Sequence, residues 1–414
     1  MRNWKIALLT SLGSGLEYYD FVTYIMLASF ISEIFFPATD KHIDFILTLG
    51  IFASAYVIRP LGGIVFGHFA DRYGRKKSLL NSILLMAVST VAIGLLPTYK
   101  TAGLISPVLL MTFRLFQGLS QGAEIPGAIT FLTEHANAQK RGKYIGMLMS
   151  GITLGAILST YINLLLTQHF THHEIINYAW RLPFLFGGIL ALIAYVLRQK
   201  VAETYLFSSQ PPVNYWPIKE VMRNHKLAIL RGISIVLLPA CMIIFALFLP
   251  AYLMKYLNYP AAEVYSAMTL SLIWSALMLL VFGYLSDYIG RKLLMLLASF
   301  IAIVFLSSLF KLLLLKNYHC ILSFMILYQT LLSCFAAAYP SMLAEFFVTK
   351  IRYTGVAISY NFSFILAAFF PMLLSIYSTA KNHEYLAAML LCGLSVFCFF
   401  ILLFTSDRTG KSLI

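Results

Sequence analysis

A chain of 414 residues that is 60% hydrophobic and 11% charged, with a mean hydropathy of +0.83, is too apolar for a water-soluble fold and reads as a polytopic membrane protein. Its net charge of +14 would suit a nucleic-acid partner only if the basic residues were gathered on one soluble surface, and they are not.

Apolar windows long enough to cross a bilayer as helix are predicted at 6–31, 45–69, 78–97, 104–132, 143–167, 182–198, 229–254, 264–286, 293–315, 318–345, 354–378 and 385–404. Arg2 and Lys5 precede the first window as they would in a signal peptide, but Glu17 and Asp20 interrupt it and no small-residue cleavage site follows, so it is read as a retained span. With twelve spans the loops alternate between two sides. Of the 30 lysines and arginines, twenty-one fall on the side of the termini, seven on the other, and Arg59 and Arg114 lie inside spans. That bias places both termini in the cytoplasm and turns the basicity into a topology signal, which removes nucleic acid as a partner.

The turn after span two, Gly67-His68-Phe69-Ala70-Asp71-Arg72-Tyr73-Gly74-Arg75-Lys76-Lys77, returns after span eight as Gly283-Tyr284-Leu285-Ser286-Asp287-Tyr288-Ile289-Gly290-Arg291-Lys292. A second repeat follows spans four and ten, where Glu134 and Arg141 are seven residues apart, as are Glu345 and Arg352. The chain is therefore built twice to one plan. The expected division is a six-helix half over 1–198, a cytoplasmic linker over 199–228 with Pro211, Pro212, Pro217 and a surface helix near Ile218 to Lys226, and a second half over 229–414. No loop is long enough for a soluble module.

Five ionisable residues lie within first-half spans: Glu17, Asp20, Arg59, Arg114 and Glu124. Each costs roughly 2.5–3.5 kcal/mol at the bilayer centre, so all must face inward. On span four Arg114, Gln117, Gln121 and Glu124 share one helical face, and on span one Glu17, Asp20 and Tyr24 do the same. Ion pairs that merely fix packing are the competing reading. Against it stand three carboxylates for two arginines, and a surplus carboxylate in a low-dielectric interior is suited to carrying a proton. The second half offers Trp274, Gln329, Tyr360 and Asn361, neutral polar groups suited to a substrate wall.

Other patterns carry less. His169, His172 and His173 sit in a short outer loop and read as solvated, so no metal is expected. The five cysteines have neither metal-ligand nor disulfide spacing. Gly410-Lys411-Ser412 lacks the first glycine and the strand of a phosphate loop and reads as a tail, and Asn361-Phe362-Ser363 lies within a span, out of reach of glycosylation.

With two copies of Gly-x-x-x-Asp-x-x-Gly-Arg-Lys in a 6+6 repeat, the chain resembles the major facilitator superfamily over essentially its whole length. Arg114-Leu115-Phe116-Gln117-Gly118 resembles the span-four motif of proton-coupled members, and span five has Gly146, Gly151 and Gly155 but no Gly-Pro pair of the antiporter type. Glu17-Tyr18-Tyr19-Asp20-Phe21, Arg59-Pro60-Leu61-Gly62, Gln117-Gly118 through Gly122-Ala123-Glu124, Trp180-Arg181-Leu182-Pro183-Phe184 and Arg352-Tyr353-Thr354-Gly355 are similar to the metabolite:proton symporter family. That family includes proline/betaine, α-ketoglutarate, citrate and shikimate transporters. Tyr18 stands where the family usually has tryptophan, Ala123 for a glycine and Val348 for a proline, and osmotic gating through the long coiled-coil extension of the osmosensing branch is not expected.

The resemblance implies an all-α major facilitator fold of two pseudo-symmetric six-helix bundles in a bacterial inner membrane. It implies a monomer that imports a small carboxylate-bearing metabolite by alternating access, with the proton as coupling ion and no cofactor. Glu17, Asp20, Arg114 and Glu124 are the proton-coupling candidates. Tyr19, Tyr24, Arg59, Gln117, Gln121, Trp274, Gln329, Tyr360 and Asn361 are the substrate candidates. The gate is expected to comprise Gly67, Asp71, Arg72, Gly74, Arg75, Lys76, Glu134, Arg141, Asp287, Gly290, Arg291, Glu345 and Arg352. In it the resemblance sets Asp71 near Arg352 at the start of span eleven and Asp287 near Arg141 at the start of span five. A proton-driven exporter and a non-transporting sensor of the same fold are the alternatives, separable by antiport and by uptake into sealed vesicles. An enzyme is disfavoured, since no nucleophile–base pair occurs at usable spacing.

Overall fold

The computed structural model describes residues 3–37, 41–73, 75–199, 217–377 and 385–411. Its long helices are α1 (Asn3–Met26, resumed by Ala28–Phe35), α2 (Lys41–Val57, resumed by Arg59–Tyr73), α3 (Arg75–Gly94), α4 (Ile105–His135), α5 (Arg141–His169) and α6 (Arg181–Gln199). The series continues with α7 (Lys226–Tyr256), α8 (Ala261–Ile289), α9 (Arg291–Phe310), α10 (Tyr318–Glu345), α11 (Arg352–Ala368, resumed by Phe370–Ile376) and α12 (Leu386–Leu403). Each falls on one of the predicted spans. The expected surface helix is Pro217–Asn224, and α7 begins immediately after it; Pro211 and Pro212 lie outside the described residues.

Among the described residues, eight helices are long and apolar enough to cross a membrane by themselves, and the bent pair His172–Ala179 and Arg181–Val196 adds a ninth. The helices outside that set include α1, which carries Glu17 and Asp20, and α4, which carries Arg114, Gln117, Gln121 and Glu124. All five intramembrane ionisable residues are at most 2% exposed, as their insertion cost demands.

The two halves repeat one packing scheme. α1 packs on α5 and α6, α2 on α4, and α3 on α4 and α6; in the same way α7 packs on α11 and α12, α8 on α10, and α9 on α10 and α12. Contacts between the halves obey the same symmetry, since α5–α8 is matched by α11–α2, and α5–α10 by α11–α4. The fold is thus two pseudo-symmetric bundles of six helices.

Helices that lack a hydrophobic drive to associate inside lipid need close backbone approach, and glycine provides it here. A side-chain carbon on Gly62 would fall on the Leu119 carbonyl, and one on Gly122 on the Arg59 carbonyl, so α2 and α4 meet backbone to backbone. Gly15 and Gly155 do the same for α1 and α5. Between the halves, Gly142 and Gly146 of α5 lie against Gly283 and Ser286 of α8.

Gly122→Ala is expected to lower unfolding stability in detergent by about 1–3 kcal/mol, because a backbone atom cannot move aside as a flexible side chain does. Gly50 meets nothing within 4 Å. Gly50→Ala should therefore be neutral, or stabilise α2 by about 0.5–1 kcal/mol through helix propensity, and thermal melts of the two variants side by side make the comparison.

Candidate functional site

Pro60 has no N–H to give to the Tyr56 carbonyl, so α2 breaks at Ile58 and resumes at Arg59. The break sets the Arg59 guanidinium 3.9 Å from the centre of the Tyr56 ring and 4.3 Å from that of Phe21 on α1. From the other half, Phe364 of α11 lies 6.0 Å from the same cation, stacks on Tyr56 with rings 5° from parallel, and is itself stacked by Tyr360 at 4.5 Å. Tyr18 is within electrostatic reach of Arg59, Tyr56 and Tyr360, and the Tyr339 and Tyr360 hydroxyls lie together. Arg59 is 1% exposed, and its Nε and Nη2 have no hydrogen-bond partner. Desolvated cation–ring contacts of this kind contribute about 2 kcal/mol each and leave the N–H edges available to an anion. One helical turn away, Asn361 donates across the halves to the Gly122 carbonyl at 2.9 Å, with its own Oδ1 unpartnered.

The α4 stripe turns the other way, into the first bundle. Arg114 donates to Gln117 Oε1 at 2.8 Å and to the Phe21 carbonyl at 3.3 Å, with its guanidinium over the rings of Tyr24 and Phe21. Gln117 in turn donates to the Thr90 hydroxyl at 2.8 Å, and Gln121 to the Glu17 carbonyl at 3.3 Å. Asp20 is fully buried beside Thr90 and Gly187, at the junction of α1, α3 and α6, and no hydrogen bond within 3.5 Å reaches either carboxylate oxygen. Tyr19 and Tyr24 are bound within this bundle, to the carbonyls of Pro183 and Thr48. Of the residues predicted for substrate, the structure gathers Arg59, Tyr360 and Asn361 between the halves and sets Tyr19, Tyr24 and Gln117 inside one of them.

Trp274 is elsewhere. It is 39% exposed, on the face of α8 that also shows Leu270, Ile273, Leu277 and Val281, and its indole N–H is satisfied by Thr330 at 2.8 Å. That is a lipid-facing strip, so the expected place for Trp274 in a substrate wall is corrected. Gln329 is buried within the second half.

At one end of the molecule, here called the lower end, the repeated loops interlock. Glu134 of the first half bonds Arg352 of the second at 2.8 Å, and Glu345 of the second bonds Arg141 of the first at 2.9 Å. Glu345 is shared with Arg291, which also reaches Asp287 at 3.2 Å. Asp287 accepts from the N–H groups of Gly142 and Lys143, both at 2.8 Å, which caps α5 with a carboxylate at the positive end of its dipole. Gly290 follows with a φ of +94°, a conformation that makes glycine necessary in the turn from α8 to α9. The tail closes over this cluster, with the Lys411 carbonyl accepting from Arg141 and the Thr409 hydroxyl from the Arg291 N–H. The equivalent first-half residues, Gly67, Asp71, Arg72, Gly74, Arg75 and Lys76, lie outside the described side chains. At the opposite, upper end Tyr265 donates to the Met26 carbonyl, and Phe45 packs against Phe248, Tyr256 and the Lys255 ammonium, so the halves also touch there.

Sequence reasoning missed Tyr18, Tyr56, Tyr339 and Phe364. A usable signal existed for two of them: Tyr56 precedes Arg59, and Phe364 follows Tyr360, by one helical turn.

A membrane protein of two repeated six-helix bundles, with buried charge at the midplane and reciprocal ion pairs at one end, has the architecture of a secondary transporter. The family model of the Major Facilitator Superfamily matches residues 10–371, and the chain belongs to that superfamily. It is 32% identical to the inner membrane metabolite transport protein YhjE of Escherichia coli K12, over 99% of this chain and 95% of that one. It is 30% identical to the proline/betaine transporter of Salmonella typhimurium LT2, over 88% of this chain and 75% of that one. Among solved structures it superposes on the proton:xylose symporter XylE bound to 6-bromo-6-deoxy-D-glucose with a TM-score of 0.81 at 17% identity, covering 99% and 97% of the two chains. A partially occluded inward open form of XylE from E. coli gives 0.75 at 18% identity, covering 99% of each.

Glu345→Ala strips two buried arginines of their shared carboxylate and is expected to cost about 3–5 kcal/mol of stability, read from thermal unfolding in detergent. Glu134→Ala should cost less, because the Glu134 side chain is 16% exposed and Arg352 keeps the Ala344 carbonyl.

Proposed function

We propose that the chain is a proton-coupled importer of a small carboxylate-bearing metabolite, with a zwitterion of the proline or betaine type favoured over a simple organic acid. The observation that carries this reading is Arg59 in its aromatic box, the junction where the halves meet at mid-membrane. Its free N–H edges suit a carboxylate, and the faces of Tyr18, Tyr339 and Tyr360 suit a quaternary or secondary ammonium group. The relative named as a proline/betaine transporter supports the same substrate class.

Transport proceeds by rocking of the halves 1–198 and 229–414 about this site, joined by the linker 199–228. The lower end is cytoplasmic in this scheme, as the basic loops favour, and the chain sits in a bacterial inner membrane and works as a monomer. Glu134–Arg352 and Glu345–Arg141 form its gate together with Asp287, Gly290 and Arg291. Gly67, Asp71, Arg72, Gly74, Arg75 and Lys76 complete it. These ion pairs break and re-form in each cycle, so their net worth against hydrated charges amounts to a few kcal/mol. Asp20 carries the proton, with Glu17 and Glu124 as further candidates and Arg114 setting the balance of charge around them.

Uptake of labelled proline and glycine betaine into proteoliposomes tests the reading. Arg59→Gln is expected to lower uptake at least tenfold, the loss of one charge-assisted carboxylate contact; undiminished uptake would remove Arg59 from the site. Asp20→Asn is expected to abolish accumulation driven by an imposed pH gradient while substrate exchange between equilibrated compartments persists. If Asp20→Asn, Glu17→Gln and Glu124→Gln all accumulate substrate as the parent does, proton coupling through these carboxylates is wrong.

A further inference from the structure

A second polar recess lies at the lower end, away from the midplane site. It is a cavity of about 250 Å³ between the end of the surface helix Pro217–Asn224, the first turns of α7 and the segment after α12. Its polar lining is Asn224, His225, Arg231, Thr405, Ser406 and Arg408, and no carboxylate is among its lining residues. Among the described residues Arg231 forms no ion pair, and Arg408 makes one weak bond, to the Glu345 carbonyl at 3.4 Å. The neighbouring Asp407 forms no ion pair with Arg408 among the described residues; its Oδ1 accepts instead from the Thr409 N–H and hydroxyl at 2.9 and 2.6 Å. Two guanidinium groups without a salt-bridge partner, a histidine, hydroxyls and an amide around one recess form the donor set of a phosphate site. The N-terminal turn of the 31-residue α7 lines it too, and its dipole adds to the same preference.

We infer that this cavity binds the phosphate of an anionic lipid headgroup. The lipid is favoured over a soluble phosphate because Leu227, which lines the cavity, and Leu230 on the next turn are each 60% exposed. The recess therefore opens onto apolar helix surface, where acyl chains lie while the phosphate meets Arg231 and Arg408. The surface helix contributes exposed Lys219 and Arg223 to the same side, as a segment lying at an anionic interface does. Nothing in this assignment depends on the identity of the transported substrate.

The test titrates the purified full chain in detergent with phosphatidylglycerol, phosphatidylcholine or inorganic phosphate, following thermal unfolding and lipid retention by native mass spectrometry. Phosphatidylglycerol is expected to bind and stabilise, phosphatidylcholine much less, and Arg231→Gln or Arg408→Gln to weaken phosphatidylglycerol binding roughly fivefold each. Arg231 is exposed, so its replacement leaves the packing intact and keeps the test open if Arg408→Gln unfolds. Lys219→Gln, outside the lining, is expected to bind as the parent does. Equal binding by parent, Arg231→Gln and Arg408→Gln overturns the site, and an equal loss in Lys219→Gln overturns it in favour of diffuse surface charge. If inorganic phosphate stabilises as strongly as the lipid, with the same dependence on Arg231, the anion site stands and its lipid source is overturned.

Discussion

Glu345 is the residue that the lower half of the structure depends on. Arg141 and Arg291 are both buried against it, one from each bundle, and neither has water to fall back on. A buried guanidinium without a counter-charge is among the most costly groups a protein can hold, so the two bundles are obliged to stay together while that carboxylate is shared. The repeat makes the obligation mutual. Each half contributes a glutamate and an arginine at the same place in its plan, and each glutamate meets the arginine of the other half. Duplication of one sequence pattern thus yields a pair of bonds between the halves, and Arg291 adds a bond to Glu345 within the second.

The midplane follows a different logic. There, cations are held by aromatic faces and amide oxygens, and Arg59 and Arg114 both pack against the ring of Phe21. The ring screens little but keeps water out, so each charge stays sensitive to whatever anion or proton arrives. Arg59 looks toward the second half and Arg114 into the first. Phe21 therefore touches both the residue proposed for substrate and the arginine of the network beside Asp20.

The span pattern was legible in the sequence because bilayer thickness fixes helix length, and even the broken helices α1, α2 and α11 overlie their predicted windows, overrunning them by a few residues at the ends. The inward turn of Glu17, Asp20 and the α4 stripe was legible for a similar reason, since lipid forbids the alternative. Crosswise pairing of Glu134 and Glu345 was not, because repeat spacing reveals equivalent positions without saying whether they meet within a half or across. Trp274 was misplaced since its indole needs one nearby hydroxyl, which Thr330 supplies, and its ring sits as well against lipid as against substrate. The tyrosines of the Arg59 box were hidden by abundance: among 25 tyrosines and 33 phenylalanines, a functional aromatic has no compositional contrast.

The approach of Gly142 and Gly146 to Gly283 bears on motion. Where large side chains interlock, one helix leaves another only by lifting its knobs out of the holes, and every rotamer on the seam must change. α5 and α8 meet at this end largely across backbone, with the side chains of Ser286 and Asp287 pressed close to Gly142. Such a surface has the form of a journal bearing, suited to carry load across the joint in the rocking proposed above. In that motion, resistance at this joint would rest with the ion pairs beside it and not with interlocked side chains.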